Sequence, residues 1–600
     1  MCGFTGSVSV KPIDNSLISK ANKFIECRGP DAKCFIEKNY NEFNINFHFN
    51  RLSILDLSET ANQPMHSKEF KTMLMFNGEI YNHAELRKDL ENQGLKFNTS
   101  HSDTETLLNG LSYYGINFVN KLRGQFAIAF FDEKKSKLYL VRDRLGQKPL
   151  YYFLDNENIH FGSSLLSLLK IIRDYKIDEN QLYTYLNYGI VSSPFTLFKN
   201  IYKVMPSEVL TVDLQSSKFS ASKSKYWNLE NFLDNKPFIF DEFFNIFSES
   251  ISIRATADVP VANFLSGGID STSIVKNMAD NDMKVNSFSI YLKENKYDES
   301  KYAKEVVQKY NLNHKSTTIS SEISINEINQ ALNSLDEPYS DPSVVPSFIL
   351  SNQISKYYKV AISGDGGDEL LGGYERTVKS IKKTGFFSNL FSKSYNLYPS
   401  ILGTGNKFLA KSSNLETKYR SFLEDKKLMK LLKIKPIENT FADGLDYKDV
   451  NFYKKLLIAD YKLFLPEMMM FKIDRTSMAN SLEVRSPFVD HKFIEFIMSN
   501  NTTYLNPENS KDILKKYLSN DFSKEFLLRK KQGFVFDVES WVFDNLDFIL
   551  NKISNGHVIN NLNENIVNLL SINKSRINGQ RIWKLFVLEH YLERTFSKSL

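Results

Sequence analysis

Apolar residues follow two different rhythms along this chain. Before residue 225 they cluster in short runs. Residues 125–132 (QFAIAFFD) and 137–143 (KLYLVRD) are separated by the charged Glu133-Lys134-Lys135-Ser136, a hairpin signal. A further strand is predicted at 73–76. It runs into Asn77-Gly78, and residues 82–93 then carry apolar side chains at helical spacing. This part reads as sheets covered by helices. After 225 a helical stretch at 240–254 leads to an apolar strand at 259–265, a Gly-rich turn and a helix from about 270. Strands at 284–292, 314–319 and 358–362 and a helix at 300–310 follow, and the last strand ends in a second Gly-rich turn. Strands alternating with helices predict a parallel, doubly wound sheet. From about 450 the pattern is mainly helical, and there is no internal repeat.

The stretch 214–225 (LQSSKFSASKSK) is rich in Ser and Lys and free of acidic residues, which predicts a linker. The domain expectation is therefore 1–213, a linker over 214–235, and a second domain over 236–600. At roughly 100–200 residues per core, 600 residues also require more than one.

Composition narrows the function classes. With 42% apolar and 24% charged residues, disorder is excluded as the main state. A net charge of +6 over 600 residues does not predict a nucleic-acid partner. Three cysteines, Cys2, Cys27 and Cys34, make neither a disulfide framework nor a four-thiolate zinc site. They place any sulfur chemistry at the N-terminus. No leader pattern and no apolar run of about 18–20 residues is present, so a cytoplasmic chain without a transmembrane segment is expected. Residues 376–414 lack any acidic side chain. They read either as a solvated helical face over a core or as a basic amphipathic surface for a membrane or anionic partner.

Cys2 carries the first chemical argument. Removal of Met1 is favoured before a small side chain. An N-terminal Cys then joins a thiol nucleophile to an α-amine, of pKa near ~8, that can shuttle its proton. The second argument is Ser266-Gly267-Gly268-Ile269-Asp270-Ser271 between a strand and a helix. Backbone N–H groups in such a turn bind phosphate, and the absence of a following Lys-Ser/Thr excludes a Walker A loop. The third is Ser363-Gly364-Asp365-Gly366-Gly367-Asp368-Glu369, a turn with carboxylates suited to Mg²⁺. Its spacing does not fit an EF-hand. Asn77-Gly78 is by itself also a tight-turn signal.

The set Cys2-Gly3, Arg28-Gly29-Pro30-Asp31, Arg51-Leu52-Ser53-Ile54, Asn77-Gly78-Glu79-Ile80-Tyr81-Asn82 and Ser102-Asp103-Thr104-Glu105 resembles the class II glutamine amidotransferases. The 266–271 turn resembles the pyrophosphate loop of the ATP pyrophosphatases. With Asp474–Ala479 (DRTSMA), Ser481–Phe488 (SLEVRSPF) and Arg529-Lys530-Lys531-Gln532-Gly533-Phe534, nearly the whole chain resembles the glutamine-hydrolysing asparagine synthetases. The resemblance implies an αββα N-terminal-nucleophile domain followed by an α/β pyrophosphatase domain with a helical C-terminal part.

It also implies roles. Cys2 would be the nucleophile, and Asn77 and Gly78 the oxyanion donors. Arg51 would hold the glutamine carboxylate, and Asp103 with Glu79 its ammonium. Leu265, Ile290, Ser363 and Gly364 would cradle adenosine; Ser266, Gly267, Gly268, Asp270 and Ser271 would take the phosphates. Asp270 and Asp368 would hold Mg²⁺, and Lys531 would neutralise phosphate charge. Implied substrates are glutamine, ATP and a carboxylate acceptor, favoured as L-aspartate, joined through an acyl-adenylate. A dry passage for ammonia is implied as well, and a homodimer is left open.

Two positions depart from the family pattern. Cys27 stands where His commonly precedes Arg-Gly-Pro-Asp. Asp365 replaces a Glu found in some members and marks a candidate catalytic carboxylate one methylene shorter. Two other readings stay open: the same chemistry on another carboxylate such as a sugar uronate, and a silent glutamine- or ATP-binding homologue.

Overall fold

The computed structural model describes residues 2–214, 218–292, 300–319, 323–374, 376–377, 394–411, 414–434, 447, 450–502, 510–529, 536–557 and 565–596. Twelve strands form the first half: β1 (Gly3–Ser9), β2 (Ala32–Tyr40), β3 (Phe43–Arg51), β4 (Met65–Ser67), β5 (Thr72–Ile80), β6 (Gly124–Asp132), β7 (Lys137–Arg142), β8 (Tyr151–Leu154), β9 (Asn158–Gly162), β10 (Ile201–Lys203), β11 (Glu208–Asp213) and β12 (Ser220–Lys225). They make two antiparallel sheets, ordered β10-β8-β9-β1-β3-β2 and β12-β11-β7-β6-β5-β4.

The apolar runs read as continuous because both faces of these strands are covered. On β6, Ala127, Ala129 and Phe131 point into the space between the sheets, while Phe126, Ile128 and Phe130 point outward. The outward set meets Leu86 and Leu90 of helix His83–Asn92 and Leu107 and Leu111 of helix Asp103–Tyr114. Helices Asn15–Lys23 and Leu165–Ile171 pack together on the outside of the other sheet. The layering is αββα.

The expected linker needs correction. Residues 220–225 form β12, paired with β11 from Glu208↔Lys225 to Asp213↔Ser220. Leu214 and Phe219 insert into the core between the sheets. All six residues of β12 are exposed, so the Ser/Lys composition is that of a sheet edge guarded by lysines.

The second half carries a parallel sheet of β13 (Val261–Phe264), β14 (Asn286–Leu292), β15 (Asn313–Ile319), β16 (Val360–Ile362) and β17 (Glu483–Arg485), ordered β15-β14-β13-β16-β17. The chain leaves β13 toward one edge and returns through β16 toward the other. The two Gly-rich turns follow the carboxyl ends of these neighbouring strands, the switch point where doubly wound sheets bind ligands. The C-terminal part is helical. Trp583 and Phe586 of helix Arg576–Phe596 share one core with Leu165 and Tyr185 of the first half, which ties the two halves together. Among the described residues no helix is long and apolar enough to cross a membrane. The acid-free stretch lies partly outside the described residues.

Candidate active sites

The first site forms where β1 begins. Cys2 is buried and its amide N–H donates to Asn77 Oδ1 at 3.1 Å. The other end of the Asn77 amide, Nδ2, is buried with no hydrogen-bond partner. A buried amide donor left empty beside a thiol is costly unless a ligand oxygen meets it. Gly78 has φ +154°, and a Cβ there would lie 1.9 Å from the Gln125 carbonyl oxygen, so only glycine lets β5 close on β6 at this point.

Arg51 ends β3. Its Nη1 donates to Ser58 O at 2.7 Å and to Asn62 Oδ1 at 2.9 Å, and its Nη2 to the carbonyls of Leu55 and Asp56. These contacts fix the loop beside Cys2, and no carboxylate among the described residues lies within 4.0 Å of the guanidinium. Asp103 opens its helix and accepts from the Ile80 N–H at 3.1 Å, bringing it next to the 77–79 run. Burial raises the carboxyl of Asp103, against the pull of His83. Burial also holds Glu79 well above its ordinary value, opposed by Arg485 at 3.1 Å. The Cys2 thiol is pushed up by burial too, with the Leu52 amide and Arg51 acting the other way. Cys27 is exposed, and its carbonyl accepts from Ser481 Oγ at 2.6 Å.

The second site is a cavity of about 470 Å³ at the switch point. Leu265, Ser266, Gly268, Asp270, Ser271, Ile290, Ser363, Gly364, Asp365 and Asp368 all line it. Gly267 lies in the same turn with φ +78°; a Cβ would sit 2.6 Å from the Ala303 nitrogen, so helix Ser300–Lys309 packs against bare backbone there. Within the turn Gly268 N–H donates to Ser266 Oγ at 3.1 Å, and Ser271 Oγ to Gly268 O at 3.2 Å. Lys531 lies outside the described residues.

Several cavity residues were not found by sequence reasoning. Lys511 Nζ bridges Asp270 and Asp368, 2.5 Å from Asp368 Oδ1. Two carboxylates that converge on one cationic nitrogen also suit a divalent cation that takes its remaining oxygens from phosphate. Arg529 reaches the Gly267 carbonyl, and Lys472, Asp341 and Glu369 line the walls. Lysines and carboxylates are too common for such positions to stand out unaided.

Buried ion pairs and a hydrogen bond connect the two halves. Arg28 donates to Cys2 O at 3.2 Å and forks onto Asp474 at 2.9 and 3.0 Å. Gln125 Nε2 reaches Glu483 Oε1 at 3.4 Å, and Arg123 reaches Asp490 at 2.9 Å. A gap of about 10 Å³ where the halves meet is lined by Gln125, Gln147 and Lys148 from the first half and by Ser363, Ile473 and Val484 from the wall of the large cavity.

Comparison with known proteins agrees with this two-site build. Residues 1–227 match the glutamine amidotransferase domain and residues 242–591 match asparagine synthase. The asparagine synthetase [glutamine-hydrolyzing] 1 of Bacillus subtilis is 31% identical over 570 residues, covering 90% of this chain and 88% of that one. The chain belongs to the glutamine-hydrolysing asparagine synthetase family. It is a glutamine-hydrolysing ligase, with glutamine and ATP as the substrates its two domains imply. Asparagine synthetase [glutamine-hydrolyzing] 3 of B. subtilis is 28% identical, covering 89% of this chain and 87% of that one. A protein named amidase chyE from Penicillium rubens is 26% identical, covering 78% and 76%. A solved glutamine phosphoribosylpyrophosphate amidotransferase from B. subtilis, 15% identical and covering 47% of this chain and 65% of that one, has a TM-score of 0.28, too low to bear on the assignment.

Proposed function

We propose that this synthetase moves the side-chain nitrogen of glutamine onto the β-carboxylate of L-aspartate, through an acyl-adenylate, in the cytoplasm. The observation that carries the reading is the empty Asn77 Nδ2 beside Cys2, joined through buried contacts to a cavity built on two Gly-rich turns.

With Met1 removed, the Cys2 sulfur attacks the glutamine amide carbon and the α-amine relays the thiol proton to the departing ammonia. Asn77 Nδ2 and the Gly78 N–H receive the oxyanion; one such donor is worth about 2.7–4 kcal/mol in the transition state. Arg51 binds the α-carboxylate, and Asp103 with Glu79 the α-ammonium. Water then hydrolyses the thioester to glutamate.

In the second site a carboxylate oxygen of the acceptor attacks the α-phosphorus of ATP and pyrophosphate leaves. Ammonia adds to the acyl carbon, AMP departs with the bonding electron pair, and a proton is lost. Leu265, Ile290, Ser363 and Gly364 hold adenosine, and Ser266, Gly267, Gly268 and Ser271 hold the phosphates. Asp270 and Asp368 would hold Mg²⁺, which offsets phosphate charge. Lys511 adds positive charge beside them, Lys531 is assigned the same task from its motif alone, and Asp365 stands ready to take a proton.

The gap of about 10 Å³ supports transfer of ammonia between the halves, because a space of that size admits one water-sized molecule. The amidase name of one relative keeps a different carboxylate in view as acceptor. Mass spectrometry of products from glutamine, ATP, Mg²⁺ and a panel of carboxylates tests the reading. Asparagine with equimolar AMP, pyrophosphate and glutamate is expected; an amide of a uronate in its place would replace aspartate as the acceptor.

A further inference from the structure

The large cavity has a wall that the roles above leave unused. It is built where helix Val344–Ser355 and helix Phe471–Met478 pack against each other. Asp341, Ser343, Met469, Lys472 and Thr476 line it. Lys472 is 7% exposed, and among the described residues its ammonium is hydrogen-bonded to neutral groups, Ser343 Oγ at 3.1 Å and Met469 Sδ at 3.9 Å. Among the described residues no carboxylate lies within 4.0 Å of it. A buried ammonium without a counter-charge is costly, and a ligand carboxylate would relieve that cost.

On the other side of Ser343, Asp341 accepts from the Ser343 N–H at 2.9 Å and from Tyr339 OH at 3.5 Å. No Lys, Arg or His among the described residues comes within 4.0 Å of its carboxylate. One positive and one negative side chain thus flank a single serine and line the same cavity, with no ion pair within 4.0 Å between them.

We propose that Lys472 and Asp341 are the specificity pair for the acceptor: Lys472 takes an α-carboxylate and Asp341 an α-ammonium, so the acceptor is an α-amino acid whose second carboxylate is activated. The inference rests on the amidation reading above and adds the chemistry of the acceptor's head group. A uronate supplies no ammonium for Asp341, and a phosphate would meet Lys472 but be repelled by Asp341.

Steady-state kinetics with ammonia as nitrogen source, reading AMP, test it. The unmodified chain is compared with Lys472→Gln, Lys472→Arg and Asp341→Asn on L-aspartate, other amino dicarboxylates, succinate and a sugar uronate. Lys472→Gln and Asp341→Asn should each raise the amino-acid KM about 10- to 100-fold, with ATP KM and glutamine hydrolysis unchanged; Lys472→Arg should fall between. Intact glutamine hydrolysis also reports that the variants fold. An unchanged acceptor KM, or an ATP KM rising in step with it, overturns the pair and leaves aspartate amidation standing. Turnover of another amino dicarboxylate in place of aspartate overturns the aspartate reading and supports the pair. Turnover of succinate or a uronate as the preferred acceptor, or of no acceptor at all, overturns both.

Discussion

Arg28 lays two guanidinium nitrogens on the two carboxylate oxygens of Asp474, at 2.9 and 3.0 Å, across 446 positions of sequence. Its Nε also holds the carbonyl of Cys2 at 3.2 Å. One side chain therefore fixes the proposed nucleophile to the helix that walls the second cavity. Removing one partner of a buried pair strands the other charge, at a cost of about 3–5 kcal/mol. Arg28→Gln is expected to lower thermal stability and to release more glutamate per AMP formed. Thermal denaturation and the glutamate-to-AMP ratio measure the two effects; an unchanged ratio would remove Arg28 from the coupling of the halves.

Asn77→Ala deletes the unpaired Nδ2 donor. Glutamine-dependent turnover should fall about 10²- to 10³-fold, while ammonia-dependent AMP formation stays as it was. Initial rates with each nitrogen source check this, and an equal fall in both would mean that Asn77 acts on the fold.

Acid should loosen the contact between the halves. Burial pushes Asp474 up, yet Arg28, Lys148 and Arg475 outweigh it and hold its carboxyl well below the usual carboxylate range. Arg254 and Arg123 likewise overcome burial at Asp490. Lowered folded-state values mean stability that is present above the unfolded value of about 3.9 and is lost as pH falls below it. Thermal midpoints measured between pH 3 and pH 7 should drop at the acid end. The drop should be shallower in Asp474→Asn, and an identical slope in that variant would assign the acid loss elsewhere.

Much of the molecule was legible in its pattern. The hairpin of β6 and β7, the strands β13, β14 and β16 and both Gly-rich turns show as apolar stretches broken by glycine or charge, while the polar β15 shows only through its β-branched end. β17 did not. It has three residues, two of them Glu483 and Arg485, so hydrophobicity could not reveal a strand whose charged side chains are buried against the other half. β12 misled for the opposite reason, since an exposed edge strand has the composition of a linker. In the sites, residues such as Cys2, Asn77 and Asp270 stand out in the sequence because they belong to motifs. Lys511 and Lys472 do not, because their meaning comes from partners far away in sequence.

Lys511 sits on the two carboxylates proposed for Mg²⁺. Lys511→Gln should raise the ATP KM and leave glutamine hydrolysis intact, because its ammonium is expected to move onto the phosphates when nucleotide binds. Pyrophosphate release as a function of ATP measures this, and an unchanged ATP KM would restrict Lys511 to holding Asp270 and Asp368 together.

The division of labour between the halves is tested most directly by Cys2→Ala, assayed by product mass spectrometry with glutamine and with ammonia. Loss of glutamine-dependent amidation with ammonia-dependent amidation preserved is the expected result. Equal loss of both, or glutamine hydrolysis surviving without the thiol, would contradict it.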